Sequence, residues 1–308
     1  MEFIGSHLRL FSTFLCAGAM LFSLAAQGME CFPKCINMTA KSGLFKGPGA
    51  AYAVLSGLNY YRFESSPNDS LKEAAIDVRN MASVLSANNY CIDTLLGAAV
   101  TKDRLRNELS AVARAAKSTD RVVFYFSGHG STYDSLAAHL PEKIVDSLLG
   151  PKNERNYFYL VLYQSFQGMI RDCISLGEIA DSLQASMAMQ KVIIVDACYA
   201  GAARPPVLPP FNVYHYLLSD NGFYSLLTWN SQVREGLYTR AVLDGLRGKA
   251  DALGMGNDDG KVDAFELSRY VDKIVGEKTF RESGEAYRAV SVYIGSGNII
   301  LTAPGKKK

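Results

Sequence analysis

The stretch KVIIVDACYAGAA, Lys191–Ala203, decides the predicted fold. Its apolar, β-branched run Val192–Val195 is typical of a strand that is buried on both faces of a parallel sheet. The strand ends at Asp196 and Cys198, and the small residues that follow let the chain turn. Because open α/β sheets bind ligands at the carboxyl ends of their strands, we expect the Cys198 thiol at a binding edge.

A second stretch of the same kind lies upstream, RVVFYFSGHGS at Arg121–Ser131. Its buried strand, Val122–Phe126, leads directly to Ser-Gly-His-Gly, which contains His129. Two buried strands that bring a cysteine and a histidine to one sheet edge predict a Cys/His nucleophilic site. The alternative is that His129 is a structural histidine and Cys198 a buried thiol.

The residues around this pair suit acyl chemistry. Cysteine attacks as a thiolate, and an imidazole is the usual partner that holds the thiolate near neutral pH. Gly128 and Gly130 flank His129 and allow a ligand to approach the backbone closely. The backbone N–H groups of Gly130 and Cys198 are the predicted oxyanion hole.

Hydrophobic periodicity predicts a doubly wound sheet. Before His129, strands at Tyr52–Leu58, Tyr90–Leu96 and Val122–Phe126 alternate with helices at Leu71–Leu85 and Leu105–Ala116, the second capped near Thr101. After it, the expected elements are a strand at Tyr157–Leu162, a helix at Leu176–Leu183 opened by Ser175, a strand at Phe223–Trp229, helices at Tyr238–Leu246 and Val262–Val275, and late strands or a hairpin at Tyr287–Thr302. Thr132–Asn156 has no sustained period and is predicted to be a functional or mobile loop.

The amino terminus has the pattern of a secretory signal peptide over residues 1–28. Leu10–Leu24 is almost entirely apolar, Arg9 precedes it and small residues follow. This run is shorter than the roughly 20 residues of a membrane span. We therefore expect a secreted or periplasmic protein with a leader at residues 29–50. The alternatives are an uncleaved anchor, which would be its only membrane contact, or a start at Met20 or Met29.

Composition excludes some partners. The 308 residues are 48% apolar and 20% charged, with a net charge of +2, so neither nucleic acid nor a strongly acidic partner is expected. The tail at 305–308, with the basic run Lys306–Lys308, is predicted to be solvated. Cys16 lies in the predicted signal peptide, so five of the six cysteines remain in the mature protein. Because five is an odd number, at least one thiol is left unpaired and is available for catalysis. Cys31 and Cys35 are close enough for a short-loop disulfide.

The two motifs resemble the signatures of the caspase-like cysteine peptidases, in particular the metacaspase and bacterial caspase-like branch. These motifs are SGHG, Ser127–Gly130, and DACYAG, Asp196–Gly201. The resemblance extends over about Ala51–Val275, through YAVLSGLNYY, LKEAAIDVRNMASVL, ISLGEIADSL, EGLYTRAVLDGLRGKAD and DDGKVDAFELSRYV. It implies a caspase-like peptidase domain at residues 51–304.

This resemblance implies a three-layer α/β/α sandwich around a mostly parallel sheet. It also implies hydrolysis of a peptide or protein substrate through an acyl-enzyme at Cys198, with His129 as its partner. Asp196 matches the family position that lines the first specificity pocket, where a carboxylate selects Arg or Lys. The alternative for Asp196 is a cap on the following helix or turn. A catalytically silent binding module and a transpeptidase or ligase are the rival functions.

No metal or other cofactor is expected. Family members that need calcium carry acids after the cysteine, where this chain has Ala202, Ala203 and Arg204. One calcium-like pattern remains, with polar residues at EF-hand positions 3, 5, 6, 9 and 12. These are Asn257, Asp259, Gly260, Asp263 and Glu266. Met255 occupies position 1, so a polar turn that caps the Val262–Val275 helix is favoured over a calcium site.

Overall fold

The computed structural model describes residues 49–63, 70–138, 140–152, 157–165, 172–197, 223–227, 236–284, 290–294 and 299–304. In chain order these form β1 (Ala51–Gly57), α1 (Ala74–Ala87), β2 (Tyr90–Leu96), α2 (Lys102–Ala115), β3 (Arg121–Gly128), β4 (Gly130–Thr132), α3 (Tyr133–Ala137), α4 (Glu142–Leu149), β5 (Phe158–Leu160), β6 (Ile174–Ser175), α5 (Leu176–Gln184), β7 (Gln190–Ala197), β8 (Phe223–Leu227), α6 (Leu237–Asp244), β9 (Val262–Asp263), α7 (Ala264–Ser283), β10 (Val290–Ile294) and β11 (Ile300–Thr302).

The central sheet has the strand order β10-β8-β7-β3-β1-β2 in the described residues. The neighbours from β8 to β2 are parallel, and only β10 runs antiparallel, against β8. The strands β1, β3 and β7 are buried almost throughout, which explains their continuous apolar sequences. The predicted mostly parallel sheet is confirmed.

Helices cover both faces of this sheet. One core packs the sheet against α2 and α5, through Leu105, Leu109, Ile179 and Leu183. The other packs it against α1, α6 and α7, through Val78, Met81, Val242 and Leu267. The three-layer α/β/α sandwich is therefore confirmed.

The caps that the sequence predicts are present. Thr101 accepts the Arg104 N–H at the start of α2, and Ser175 forms a reciprocal capping box with Glu178 at the start of α5. Such caps satisfy backbone donors that the first helical turn leaves without partners.

The expectation of a loop at Thr132–Asn156 was wrong. This segment contains part of β4 and the helices α3 and α4, and β4, β5 and β6 form a small antiparallel sheet. A separate small core that includes Tyr133, Leu149 and Tyr159 supports it. The elements are too short for their periodicity to stand out, because α3 has five residues and α4 has eight.

The segment predicted as late strands or a hairpin, Tyr287–Thr302, contains two strands that do not pair with each other. β10 pairs with β8 in the central sheet, whereas β11 pairs with β9. The helix predicted at Val262–Val275 begins at Ala264, because Asp263 and Glu266 form a capping box there.

Several predicted features lie outside the described residues. They are the signal peptide at 1–28, most of the leader at 29–50, and the tail at 305–308. Only residues 49 and 50 of the leader are described, so Cys31 and Cys35 lie outside the described residues as well. Among the described helices, none combines the length and the hydrophobicity needed to cross a bilayer.

Candidate active site

The carboxyl ends of β1, β3 and β7 meet at one edge of the sheet. Ser127 of β3 is in register with Gly57 of β1 on one side and with Asp196 of β7 on the other. The last pair between β3 and β7 is Gly128 with Ala197, and the next residue in each chain segment is His129 and Cys198. Cys198 lies outside the described residues, so the structure describes three predicted site residues: His129, Gly130 and Asp196.

His129 is held through its backbone and its ring. Its N–H donates to the Tyr61 hydroxyl at 2.6 Å, and its carbonyl accepts the Val161 N–H at 3.0 Å. The Tyr61 ring stacks on the imidazole, with 4.9 Å between ring centroids and 24° between planes. Sequence reasoning missed Tyr61, since one of several tyrosines in an aromatic stretch gives no signal of this contact.

The close packing around Gly128 leaves no room for a side chain at this position. A Cβ at this position would lie 2.9 Å from the Tyr61 hydroxyl and 2.7 Å from Cζ of Phe126. Such distances do not occur between real atoms of this kind, so any side chain at 128 would displace both aromatic rings.

Gly130 begins β4, opposite Leu160 of β5. The pair next to it, His129 and Val161, is hydrogen-bonded, because the Val161 N–H donates to the His129 carbonyl. At the other end of β4, the Tyr133 N–H donates to the Tyr157 carbonyl. Hydrogen-bonded pairs alternate with non-hydrogen-bonded pairs in an antiparallel ladder, so the Gly130 N–H is directed away from β5. That direction is compatible with the predicted oxyanion role.

Asp196 is half-buried and bound to the amino terminus of α6. Its Oδ2 accepts the Thr239 N–H at 3.2 Å and the Thr239 hydroxyl at 2.7 Å. The buried Tyr125 hydroxyl lies 2.7 Å from the same Thr239 oxygen. Asp196 thus binds an amino-terminal amide of a helix, but that helix begins about 40 positions later rather than next to it.

Asp77 of α1 lies in the same charged cluster and was missed by sequence reasoning. It is only 6% exposed. Burial, followed by the charges of Asp196 and Glu73, raises its pKa to about 7, against the opposing effects of a Ser127 hydrogen bond and the Arg240 charge. A signal was present, because Asp77 falls three residues after Ala74 and four before Met81, on the apolar face of the helix.

Glu73, Asp77 and Asp196 make up what we call the acidic cluster. Glu73 reaches the start of α6, where a Cβ on Gly236 would lie 2.1 Å from its Oε2. Gly236 also has φ +72°, a conformation that glycine adopts without strain. Charge from the cluster, after burial itself, helps raise the pKa of Tyr125 well above its ordinary value. This part of the sheet edge therefore favours a cation.

The EF-hand-like segment uses its acids to hold its own backbone. The two Glu266 oxygens accept the N–H groups of Asn257 and Asp263, at 2.9 and 3.2 Å. Asp251 accepts those of Asp259 and Gly260, at 3.0 and 2.9 Å. In the described ranges, no group of three or more His, Cys, Asp or Glu side chains is arranged to hold a metal ion.

Comparison with known proteins identifies the fold and the family. The profile of the caspase domain, peptidase family C14, matches residues 50–286. Among solved structures, the chain is similar to protein GSU0716 from Geobacter sulfurreducens, with a TM-score of 0.50 and 14% identity, over 80% of this chain and 94% of that one. At this identity the likeness concerns the fold alone. No curated protein sequence matches the chain.

Proposed function

This chain belongs to the caspase domain family of cysteine peptidases, and from that premise we propose that it is an endopeptidase that cleaves after Arg or Lys through Cys198 and His129. Its substrate is a peptide or protein chain. No metal or other cofactor takes part in the proposed reaction.

The register between β3 and β7 carries this proposal. Because Gly128 and Ala197 are paired across adjacent parallel strands, β3 and β7 end at the same level of the sheet edge. The residues that come next in the sequence complete the proposed site. Those residues are His129 and Cys198. In the proposed enzyme this imidazole and this thiol meet at the sheet edge, as nucleophilic catalysis by cysteine requires.

The proposed reaction proceeds in two halves. His129 accepts the thiol proton of Cys198, and the thiolate attacks the scissile carbonyl carbon. The N–H groups of Gly130 and Cys198 bind the oxyanion of the tetrahedral intermediate. As that intermediate collapses, the C–N bond breaks and His129 gives its proton to the departing amine. Water, deprotonated by His129, then attacks the acyl-enzyme carbonyl carbon. The C–S bond breaks, the carboxylic acid product leaves, and His129 returns the proton to the Cys198 thiolate.

The acidic cluster supports a preference for Arg or Lys. Its carboxylates lie at the edge that carries His129, and after burial itself the repulsion from Asp196 and Glu73 raises the pKa of Asp77. A guanidinium or ammonium group placed among them would offset that repulsion and form charge-assisted hydrogen bonds. An uncharged side chain would leave the repulsion in place.

The test is hydrolysis of matched fluorogenic amides by the purified protein. We expect cleavage of Arg- and Lys-amides, and much slower cleavage of the citrulline-amide, which has the length and shape of Arg and no charge. Cys198→Ala and His129→Ala should each reduce the rate to background while thermal unfolding stays cooperative. Activity that survives Cys198→Ala would exclude the mechanism, and a rate equal for citrulline and Arg would exclude the specificity.

Product analysis separates hydrolysis from transfer. With an added amine nucleophile, a peptidase releases mainly the carboxylic acid, whereas a transpeptidase or ligase releases the new amide. A protein that neither cleaves nor transfers, and whose Cys198 does not react with Arg-based probes, would instead be a silent binding module.

We propose that the protein is secreted or periplasmic. This proposal rests on the apolar segment Leu10–Leu24 and the small residues after it. Intact-mass measurement of the protein recovered from its native host tests it, since removal of residues 1–28 would give a defined loss of mass.

A further inference from the structure

We infer that Tyr61 is the positioning residue of His129, holding the imidazole where it can exchange a proton with Cys198. This inference rests on the proposed function, in which His129 is the base. It starts from the path of the chain after β1. The Leu58 N–H donates to the Ser127 carbonyl at 3.1 Å, so the segment that follows β1 continues beside the end of β3. Tyr61, only 8% exposed, belongs to the core that α2 and α5 cover.

Tyr61 restrains His129 in two independent ways. Its hydroxyl oxygen accepts the His129 N–H at 2.6 Å and so fixes the backbone. Its ring lies against one face of the imidazole, with centroids 4.9 Å apart, and so limits the rotation of the side chain. Neither contact uses a ring nitrogen of His129, and the nitrogens are the atoms that must exchange protons.

The surroundings of Tyr61 make these contacts rigid. The absence of a side chain at Gly128 leaves room for the Tyr61 hydroxyl, which would lie 2.9 Å from a Cβ there. On the opposite side, the Val161 N–H holds the His129 carbonyl at 3.0 Å. Backbone bonds on both sides of His129 therefore leave its side-chain rotation as the main freedom, and the Tyr61 ring restricts that rotation.

This rigidity matters because catalytic groups must be held within about 0.5 Å of their productive geometry. A misplacement of about 1 Å can cost about 10²-fold in rate. Loss of the Tyr61 ring should therefore reduce kcat and leave KM largely unchanged, because Tyr61 packs beneath His129 and does not belong to the acidic cluster that would bind the substrate.

Two substitutions of Tyr61 distinguish the effect of its hydrogen bond from the effect of its ring stacking. Tyr61→Phe keeps the ring and removes the hydroxyl, and Tyr61→Met removes both and leaves a flexible apolar side chain without a flat face. Tyr60→Met is the matched control, because Tyr60 is 54% exposed and its ring packs edge-on against Tyr163 at 6.4 Å. We expect kcat on an Arg-amide to fall about 10²-fold in Tyr61→Met and about threefold to tenfold in Tyr61→Phe, with KM within about twofold in both. Tyr60→Met should keep the wild-type kcat.

A second readout needs no substrate. The rate at which iodoacetamide alkylates Cys198 at pH 7 reports the thiolate that His129 maintains. We expect this rate to fall in Tyr61→Met, to fall less in Tyr61→Phe and to stay unchanged in Tyr60→Met. If Tyr61→Met fails to fold, the comparison of Tyr61→Phe with wild type decides by the same two measurements.

The outcomes separate this inference from the proposed function. A wild-type enzyme that cleaves the Arg-amide, with Tyr61 variants of unchanged kcat, overturns the positioning role alone. A wild-type protein that cleaves nothing overturns the proposed function, and the alkylation rates then decide for Tyr61: slower alkylation in the variants supports it, and equal alkylation overturns it.

Discussion

The carboxylate of Asp196 helps shift the ionisation of the buried Asp77 carboxyl to near neutral pH. Burial is the main cause and Asp196 the next, and together with Glu73 they raise the pKa of Asp77 from 3.8 to about 7. The acidic cluster therefore gains a negative charge as pH rises through neutrality. In the proposed peptidase this charge is available to bind Arg or Lys, so the strength of substrate binding and the stability of the fold should both depend on Asp77.

Affinity for a basic substrate should rise with pH. The double variant Cys198→Ala/His129→Ala has neither group of the dyad and does not turn substrate over, so the titration of the dyad does not interfere. We expect its dissociation constant for an Arg-containing peptide to decrease roughly tenfold between pH 6 and pH 8, because the ionised fraction of a group with a pKa of about 7 rises by that factor. Calorimetric titration measures this. An affinity that is flat over this range, or that falls, would contradict the role of Asp77.

Asp77→Asn should increase the stability of the fold at pH 8 and decrease activity on Arg-amides. A carboxyl whose pKa is raised in the folded state contributes stability that is fully present below its unfolded pKa of 3.8 and is lost as pH rises through about 7. The asparagine variant escapes this loss. We expect its Tm at pH 8 to exceed that of wild type, by roughly 2–4 °C for each kcal/mol gained.

The same variant should lose about tenfold or more in kcat/KM for Arg-amides, in line with the loss of a charged contact. Asp103→Asn is the control, because Asp103 is exposed on α2 and is not in the acidic cluster. A Tm at pH 8 equal to that of wild type, or full activity on Arg-amides, would show that Asp77 does not have the proposed role.

Glu108→Gln should also change how stability depends on pH. Glu108 of α2 is 7% exposed. Burial and then the adjacent Asp93 raise its pKa to about 7, while Arg104, at 2.9 Å, opposes the shift. A proton on Glu108 supplies a hydrogen bond to Asp93, whose buried Oδ2 has no other partner.

The shift is upward, so this stability too is present below pH 4.5 and is lost as pH rises through about 7. We therefore expect the Tm of Glu108→Gln to fall less than that of wild type between pH 5 and pH 8 in differential scanning calorimetry. Activity on Arg-amides should be unchanged, since Glu108 is not at the edge that carries His129. A pH dependence identical to that of wild type would rule out the shared proton.

The elements that sequence predicted well are those with strong local signals. The strand Tyr90–Leu96 agrees with β2 at both ends, and Thr101 and Ser175 cap the helices expected of them. The buried strands β3 and β7 are long apolar runs with little alternative interpretation. Since these two strands place His129 and lead to Cys198, the core of the candidate site could be proposed from sequence.

What sequence did not predict depends on contacts between distant residues. Thr239 binds Asp196 from a separate helix, and Tyr61 reaches His129 from a separate strand end. The sheets to which β10 and β11 belong are likewise set by pairing with β8 and β9. Local periodicity carries no information on such partners, because it records which face of an element is buried but not what covers that face.

Covalent labelling of Cys198 tests the central claim most directly. The wild-type protein is incubated with an Arg-based ketone that alkylates cysteine, and the modified residue is identified by peptide mass spectrometry. The proposed dyad predicts one label per chain, located on Cys198, with competition by an Arg-amide and labelling slowed about 10²-fold in His129→Ala. Labelling that is spread over other cysteines, or that proceeds at the wild-type rate in His129→Ala, would contradict the proposed dyad.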